Sequence, residues 1–243
     1  KNKKISSKSL GFSKELDVIQ LHTVKAPYTE LGTLYLHPKY RGKGRGSLLS
    51  LARFKFMALW PERFDDKIVA EIRGKVNKQG QSIFWNYFSR YFFNEDIFDN
   101  DKMSYIDNSF ITESIPKHPF LVSPLNRKAQ IIIGKPNDSA FPAFKMMVSQ
   151  NFKPNGLIDI IDAGPCLDCN LSNIKLVKTN KIVKIQSFGL PKQDFEGLIS
   201  NTTLKDFRVV RSSYSINEDR INLHRSVLKD LKLNLRSKVA INA

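Results

Sequence analysis

Apolar and polar positions alternate from Glu30 to Leu36 (ELGTLYL), the period of a strand with one face turned inward. His37-Pro38 ends that run, because proline cannot donate to a ladder. Beyond a glycine-rich turn the spacing changes, and SLLSLARFKFMALW (47–60) places apolar residues at helical intervals until Pro61 stops it. Lys67 to Ile72 (KIVAEI) predicts a second short strand, followed by a loop over Gly74–Gly80 and an aromatic helix over 82–93. The face Phe84, Trp85, Phe88, Phe92 and Phe93 of that helix reads as core. Strand, helix, strand, helix in this order needs a crossover, which predicts neighbouring parallel strands with helices against the sheet.

Residues 94–126 read as a mixed connecting region. The pattern then predicts a helix at AQIIIG (129–134), a break at Pro136, a helix across 141–150 and a buried strand at GLIDIIDAG (156–164). From 174 the chain turns β-rich, with IKLVKT, KIVKIQSF and DFRVVRS as strand pieces, one helix near 226–232 and a final strand VAINA. Three regions are expected: 1–29, basic and polar, the remnant of an N-terminal region; an α/β core over 30–173; and a small β-rich C-terminal subdomain over 174–243.

The chain has 243 residues, 41% of them apolar, enough for a substantial core. Its 39 basic against 23 acidic residues leave a net charge of +16, which attracts polyanions: nucleic acid, an anionic membrane or a phosphorylated small molecule. No apolar run approaches the roughly 20 residues that span a bilayer, and KNKKISSKSLGF lacks the apolar stretch of a secretory signal. A cytoplasmic protein with no membrane partner is expected. It begins at Lys1 rather than at a methionine, as a processed or partial chain would. The two cysteines, Cys166 and Cys169, have no second pair or histidine nearby, so zinc would lack ligands and no metal is expected.

Arg41-Gly42-Lys43-Gly44-Arg45-Gly46 lies between the first strand and the amphipathic helix. A pyrophosphate needs clustered N–H donors, an approach that only glycine permits and the positive end of a helix dipole, and this segment offers all three. A Walker A loop would end in Gly-Lys-Ser/Thr and a Rossmann turn would carry G-x-G-x-x-G. Neither is present, which leaves coenzyme A as the better ligand.

LYLHPKYRGKGRGSLL (34–49) is nearly the strand-and-turn motif of the GNAT-type acyl-CoA N-acyltransferases. With ELGTLYLHPKYR, LLSLARFKFMALWPERF, DKIVAEIRG, IPKHP, AQIIIG and IDIIDAGP, most of residues 12–243 resembles the bacterial arginine N-succinyltransferases. The resemblance implies a GNAT-like α/β fold, transfer of succinyl from succinyl-CoA to the α-amino group of arginine, an oligomer, and an absent front portion of the usual family chain. It implies that Leu34 and Leu36 on the strand, with Arg41, Gly42, Gly44 and Gly46 in the turn, contact acyl-CoA.

The family's proton-donating histidine falls on Asn137, whose amide donates hydrogen bonds but exchanges no proton near neutral pH. His118, in the matching IPKHP segment, is the substitute candidate. Holding a guanidinium calls for carboxylates. Glu71 and Arg73 end the second strand, and Asp159 and Asp162 flank the IDIIDAGP run, so these four are the candidate substrate residues. No nucleophile with an adjacent base is visible, which points to direct transfer in a ternary complex. Two rivals stand beside this reading: a non-catalytic relative that binds CoA or a partner, motivated by Asn137, and a nucleic-acid-binding protein, motivated by charge. The latter lacks a basic run interleaved with exposed aromatics.

Overall fold

Fifteen residues dominated by strong helix formers, opened by glycine and stopped by Trp60-Pro61, make the longest helix of the chain's described residues, which are 1–32, 34–93, 109–189 and 195–242 of a computed structural model. In chain order the strands are β1 (Asn2–Ser7), β2 (Phe12–Ile19), β3 (Thr29–Glu30), β4 (Lys67–Glu71), β5 (Phe120–Leu121) and β6 (Lys153–Ile158). They continue with β7 (Pro165–Asn170), β8 (Asn180–Gly189), β9 (Phe195–Asn201), β10 (Val209–Asn217), β11 (Arg220–His224) and β12 (Lys238–Asn242). The helices are α1 (Arg45–Leu59), α2 (Ile83–Tyr87), α3 (Ser109–Ser114), α4 (Arg127–Gln130), α5 (Phe141–Ser149), α6 (Lys175–Lys178) and α7 (Arg225–Leu231).

The chain divides into two units, the first comprising Lys1–Pro27, Val69–Lys145 and Lys153–Asp168 and the second Tyr28–Ile68, Met146–Phe152 and Cys169–Ala243. In the first, β1 and β2 form an antiparallel hairpin, with Asn2 opposite Asp17 and Ser7 opposite Phe12, and β5 extends it along β2. Gly11 at φ +61° provides the left-handed step of that hairpin. β6 runs antiparallel to β7 with Lys153 opposite Asp168 and Ile158 opposite Pro165. The core gathers Phe84, Phe88, Ala129, Ile132 and Ala163, with Ile19, Phe92 and Phe120 packed around them.

In the second unit five strands close into a barrel in the order β10-β11-β8-β12-β9. β11 and β8 run parallel, and the other pairings are antiparallel. Ile199, Tyr214, Ile221, Leu223, Val239 and Ile241 fill the barrel, and α7 adds Val227 and Leu231 to the same core. Each such fully buried aliphatic side chain contributes about 1.5–3 kcal/mol. α1 turns Phe54 inward against Phe152, ring centroids 5.7 Å apart. Phe56, Trp60 and Phe207 form an edge-on aromatic cluster around the helix end.

Several elements differ from the sequence expectation. Of the described residues in the strand expected over 30–36, only Glu30 pairs, in β3, and 34–37 carry no regular structure. The carbonyls of Gly32 and Leu36 accept from the side chains of Arg53 and Arg41. Alternation favours an extended backbone, but a ladder also needs a neighbour. The strand over 156–164 breaks at Asp159, whose Oδ1 takes the N–H groups of Ile161 and Asp162 and forces a turn between β6 and β7. IKLVKT folds as α6, a run too short for period alone to decide. The helix over 82–93 is α2 followed by a 3-10 turn at Ser89–Tyr91, and the helix at 129–134 starts and ends earlier, as α4. Of the connecting region 94–126, residues 94–108 lie outside the described residues, as does Ala243 of the last strand.

Candidate functional site

The predicted site residues fall in both units, and each group has its own geometry. In the second unit His37 caps a 3-10 turn over Pro38–Tyr40, its Nδ1 accepting the Lys39 N–H at 3.3 Å. Arg41 closes that turn and donates Nε to the Leu36 carbonyl at 3.1 Å, tying the extended segment to the glycines. Gly42 and Gly44 have φ of +94° and +72°, left-handed values that side chains disfavour. Gly44 is the N-cap of α1 and offers no side chain to the helix end. The Leu48 N–H returns to the Gly44 carbonyl. The first-turn N–H groups ahead of it have no carbonyl within the helix to accept them, and they carry the positive end of the dipole. Leu36 lies against the turn, its Cδ2 3.9 Å from where a Gly46 side chain would begin, while Leu34 is exposed.

Sequence reasoning missed one cation here. Arg211, on β10, brings Nη1 to 3.6 Å from the position a Gly44 side chain would take. Arg41, Lys43, Arg45 and Arg211 thus surround or line a turn built from glycines. The only hint in the sequence is that Arg211 sits between the core-facing Val210 and the outward-alternating positions of a strand, which does not say what that outer face meets.

In the first unit the end of β4 meets two loops. The Gly74 N–H donates to Asp162 Oδ2 and the Gly164 N–H to Asp162 Oδ1, both at 2.8 Å. Asp159 Oδ1 is occupied by two backbone N–H groups, and burial, with the neighbouring Asp162 carboxylate second, pushes the Asp159 carboxyl above its ordinary range. Both acids therefore shape the loop. A side chain at Gly74 would collide with the Asp162 backbone, and one at Gly164 with the Ile72 carbonyl, so the strands cross where only glycine fits.

Asn137 donates its N–H to the Arg73 carbonyl at 2.8 Å, and its Oδ1 accepts the Ser139 N–H at 3.2 Å as the cap of a short 3-10 helix. Lys75 pairs with Asp138 at 2.5 Å beside it. Arg73, Asn137 and, through Gly74, Asp162 are therefore gathered at one place. Glu71 lies two residues earlier on the exposed side of β4, with the Cys166 thiol 3.9 Å from its Oε1. His118 lies on an exposed bend before β5. Cys166 and Cys169 are buried free thiols.

Known proteins resemble this chain. The family model described as arginine N-succinyltransferase beta subunit matches residues 1–176. An arginine N-succinyltransferase of Escherichia coli O6:H1 is 34% identical over 239 residues, covering 97% of this chain and 69% of the relative. One from Shigella boydii serotype 18 is 33% identical over the same span. The solved arginine/ornithine succinyltransferase subunit AI from Pseudomonas aeruginosa superposes with a TM-score of 0.83 at 25% identity, covering all of this chain and 71% of that one.

Proposed function

From the premise that the chain belongs to the arginine N-succinyltransferase family, we propose that it transfers succinyl, or a related acyl group, from acyl-CoA to the α-amino group of arginine or a similar amine. The observation that carries this is the turn at Gly42–Gly46, where two left-handed glycines clear the approach to the start of a fifteen-residue helix and cations surround it. That is the form a pyrophosphate requires. The fold is assigned as GNAT-like, with Leu34 and Leu36 running beside the pantetheine arm and Arg41, Gly42, Gly44 and Gly46 at the pyrophosphate.

In the first unit Glu71 and Arg73 are the groups for the amino acid, Glu71 for the guanidinium and Arg73 for the carboxylate. Asp159 and Asp162 support them by fixing the loop. The neutral α-amine attacks the thioester carbonyl, the tetrahedral oxyanion collapses, and the C–S bond breaks to release CoA thiolate, which takes up the proton lost by the amine. A thiolate leaves readily, so the reaction survives without a strong acid at Asn137, at reduced rate.

A second reading has specific support. The Asn137 amide serves as a helix cap, and no titrating group occupies that position. A CoA-binding relative without turnover would look the same. Among the described residues no helix is long and apolar enough to cross a membrane. The proposed setting is the cytoplasm. The test is calorimetric titration with CoA, acetyl-CoA and succinyl-CoA, followed by an assay of thiol release with arginine. CoA binding with thiol release supports transfer. Binding with no release for any amine supports the non-catalytic reading, and absence of binding overturns both.

A further inference from the structure

A cavity of about 390 Å³ opens inside the second unit, lined on its apolar side by Leu51 of α1, Leu176 of α6 and Leu198 of β9. That volume is in the range of sites that hold small ligands. Two amide side chains on its wall carry unmet hydrogen-bonding capacity. Gln150 is 8% exposed; its Oε1 accepts the Leu176 N–H at 3.1 Å, which fixes the orientation of the amide, and its Nε2 has no acceptor among the described residues. Asn242 donates Nδ2 to the Leu176 carbonyl at 2.7 Å and to Thr179 Oγ1 at 3.0 Å, which fixes that amide too. Its Oδ1 is buried with no partner.

A buried polar atom without a partner keeps its desolvation cost, so a ligand donor at Asn242 Oδ1 would remove one, and the Gln150 Nε2 donor on the same wall is available to a ligand acceptor. The complement must offer one acceptor and one donor on a flat, largely apolar body. Adenine does so: an N–H donor at N6 stands beside a ring-nitrogen acceptor, whereas guanine puts an acceptor at O6. The leucines suit the faces of the ring. Arg211 also lines the cavity, and the same guanidinium reaches the Gly44 turn, so one residue joins the cavity to the phosphate-binding turn. Leu51 lies seven residues along α1 from Gly44, roughly 10 Å at the helical rise. Glu196 completes the polar lining, with an acceptor suited to a ribose hydroxyl.

We propose that this cavity is an adenosine-binding subsite, read by Gln150 and Asn242 and bridged to the pyrophosphate turn by Arg211. It rests on the CoA reading for the source of the nucleotide, since adenosine phosphate is the end of CoA farthest from the thioester. Free adenine nucleotides share the chemistry, and the experiment separates the two.

The probes are CoA, 4′-phosphopantetheine, adenosine 3′,5′-bisphosphate, AMP and guanosine 3′,5′-bisphosphate, titrated against the full chain. The adenosine bisphosphate is expected to bind in competition with CoA, and the guanosine counterpart about ten- to hundredfold more weakly. Gln150→Glu keeps the acceptor for the Leu176 N–H but removes the donor, and Leu51→Trp fills the cavity from a different wall. Each is expected to weaken adenosine bisphosphate at least tenfold and to leave 4′-phosphopantetheine unchanged. CoA binding to the wild type with neither variant affecting the nucleotide, or with guanine bound equally well, overturns the subsite and leaves the CoA assignment intact. AMP or adenosine bisphosphate binding without any CoA binding supports the subsite as a free-nucleotide site and overturns the CoA reading. Binding of none of these probes overturns both.

Discussion

The backbone N–H of Asn137 donates to the carbonyl of Arg73 at 2.8 Å, so this residue is locked to the chain just beyond β4 by its main chain. The side chain is left to cap the next turn. Position and chemistry are thus separable at this residue.

Asn137→His is expected to raise arginine succinylation by up to about 10²–10⁴-fold, with a new titration near neutral pH in the rate profile and CoA affinity unchanged. Two histidines of this chain already cap through Nδ1: His37 accepts the Lys39 N–H and His224 the Ser226 N–H. A histidine at 137 can accept the Ser139 N–H in the same way and keep Nε2 for the proton. Steady-state rates from pH 5 to 9 check this, and an unchanged rate would move attention to His118.

Gly44→Val is expected to remove measurable CoA binding. The φ of +72° costs a branched residue about 1–2 kcal/mol, and the new side chain would stand over the helix start, 3.6 Å from Arg211 Nη1 at its first atom. Folding should survive, since the surroundings are open. Calorimetry with CoA decides, and retained affinity would defeat the turn assignment.

Gly74→Ala is expected to destabilise the chain by about 3 kcal/mol or more, because the added carbon would press on the Asp162 backbone and break its carboxylate's bond to the Gly74 N–H. Urea unfolding measures it. A loss under about 1 kcal/mol would mean the loop yields.

Lys55→Met should remove part of the pH dependence of stability. Lys55 is fully buried on α1 with one neutral partner, Asn180 Oδ1 at 2.7 Å, and burial pushes its ammonium down to about 7. Unfolded lysine keeps its proton to about 10.4, so between pH 7 and 10.4 the unfolded chain binds more protons and stability rises with pH, by about 1.4 kcal/mol per pH unit. Below pH 7 both states are charged and this group's slope vanishes, leaving the full penalty of a buried charge. Thermal melts from pH 6 to 9.5 should show the gain from Lys55→Met largest at pH 6 and shrinking towards alkaline pH. A gain independent of pH would show the lysine is not titrating as described.

Where a local signal was strong the sequence was easy to read. α1 follows glycines and precedes proline with helical spacing between, and β4, β8, β10 and β12 are rich in β-branched residues. β9 and β11 were missed because FEGLISN and RINLH are short and mixed, and their identity as strands comes from the barrel that they help close. Period cannot reveal that β8 lies between β11 and β12, since such pairing is non-local. The glycine turn was legible from Gly42–Gly46, but Arg211 reaches it only through the placement of β10. Asp159 and Asp162 were read as acids for a substrate, and the sequence does not show the loop bonds they also make: Asp162 accepts the N–H groups of Gly74 and Gly164, and Asp159 those of Ile161 and Asp162.

β12 sits between β8 and β9, pairing Ala240 with both Ile182 and Ser200. During synthesis this fixes an order of events. β8 leaves the ribosome about sixty residues before β12, and at 5–20 residues per second that is roughly 3–12 s. From the emergence of β9 within that interval, β8 and β9 present open ladder edges next to apolar residues meant for the barrel interior, the state in which strands pair with the wrong neighbour. The nascent chain is therefore most exposed to misassembly and most dependent on chaperones just before residues 238–242 emerge, and a pause in translation at that point would lengthen the hazard.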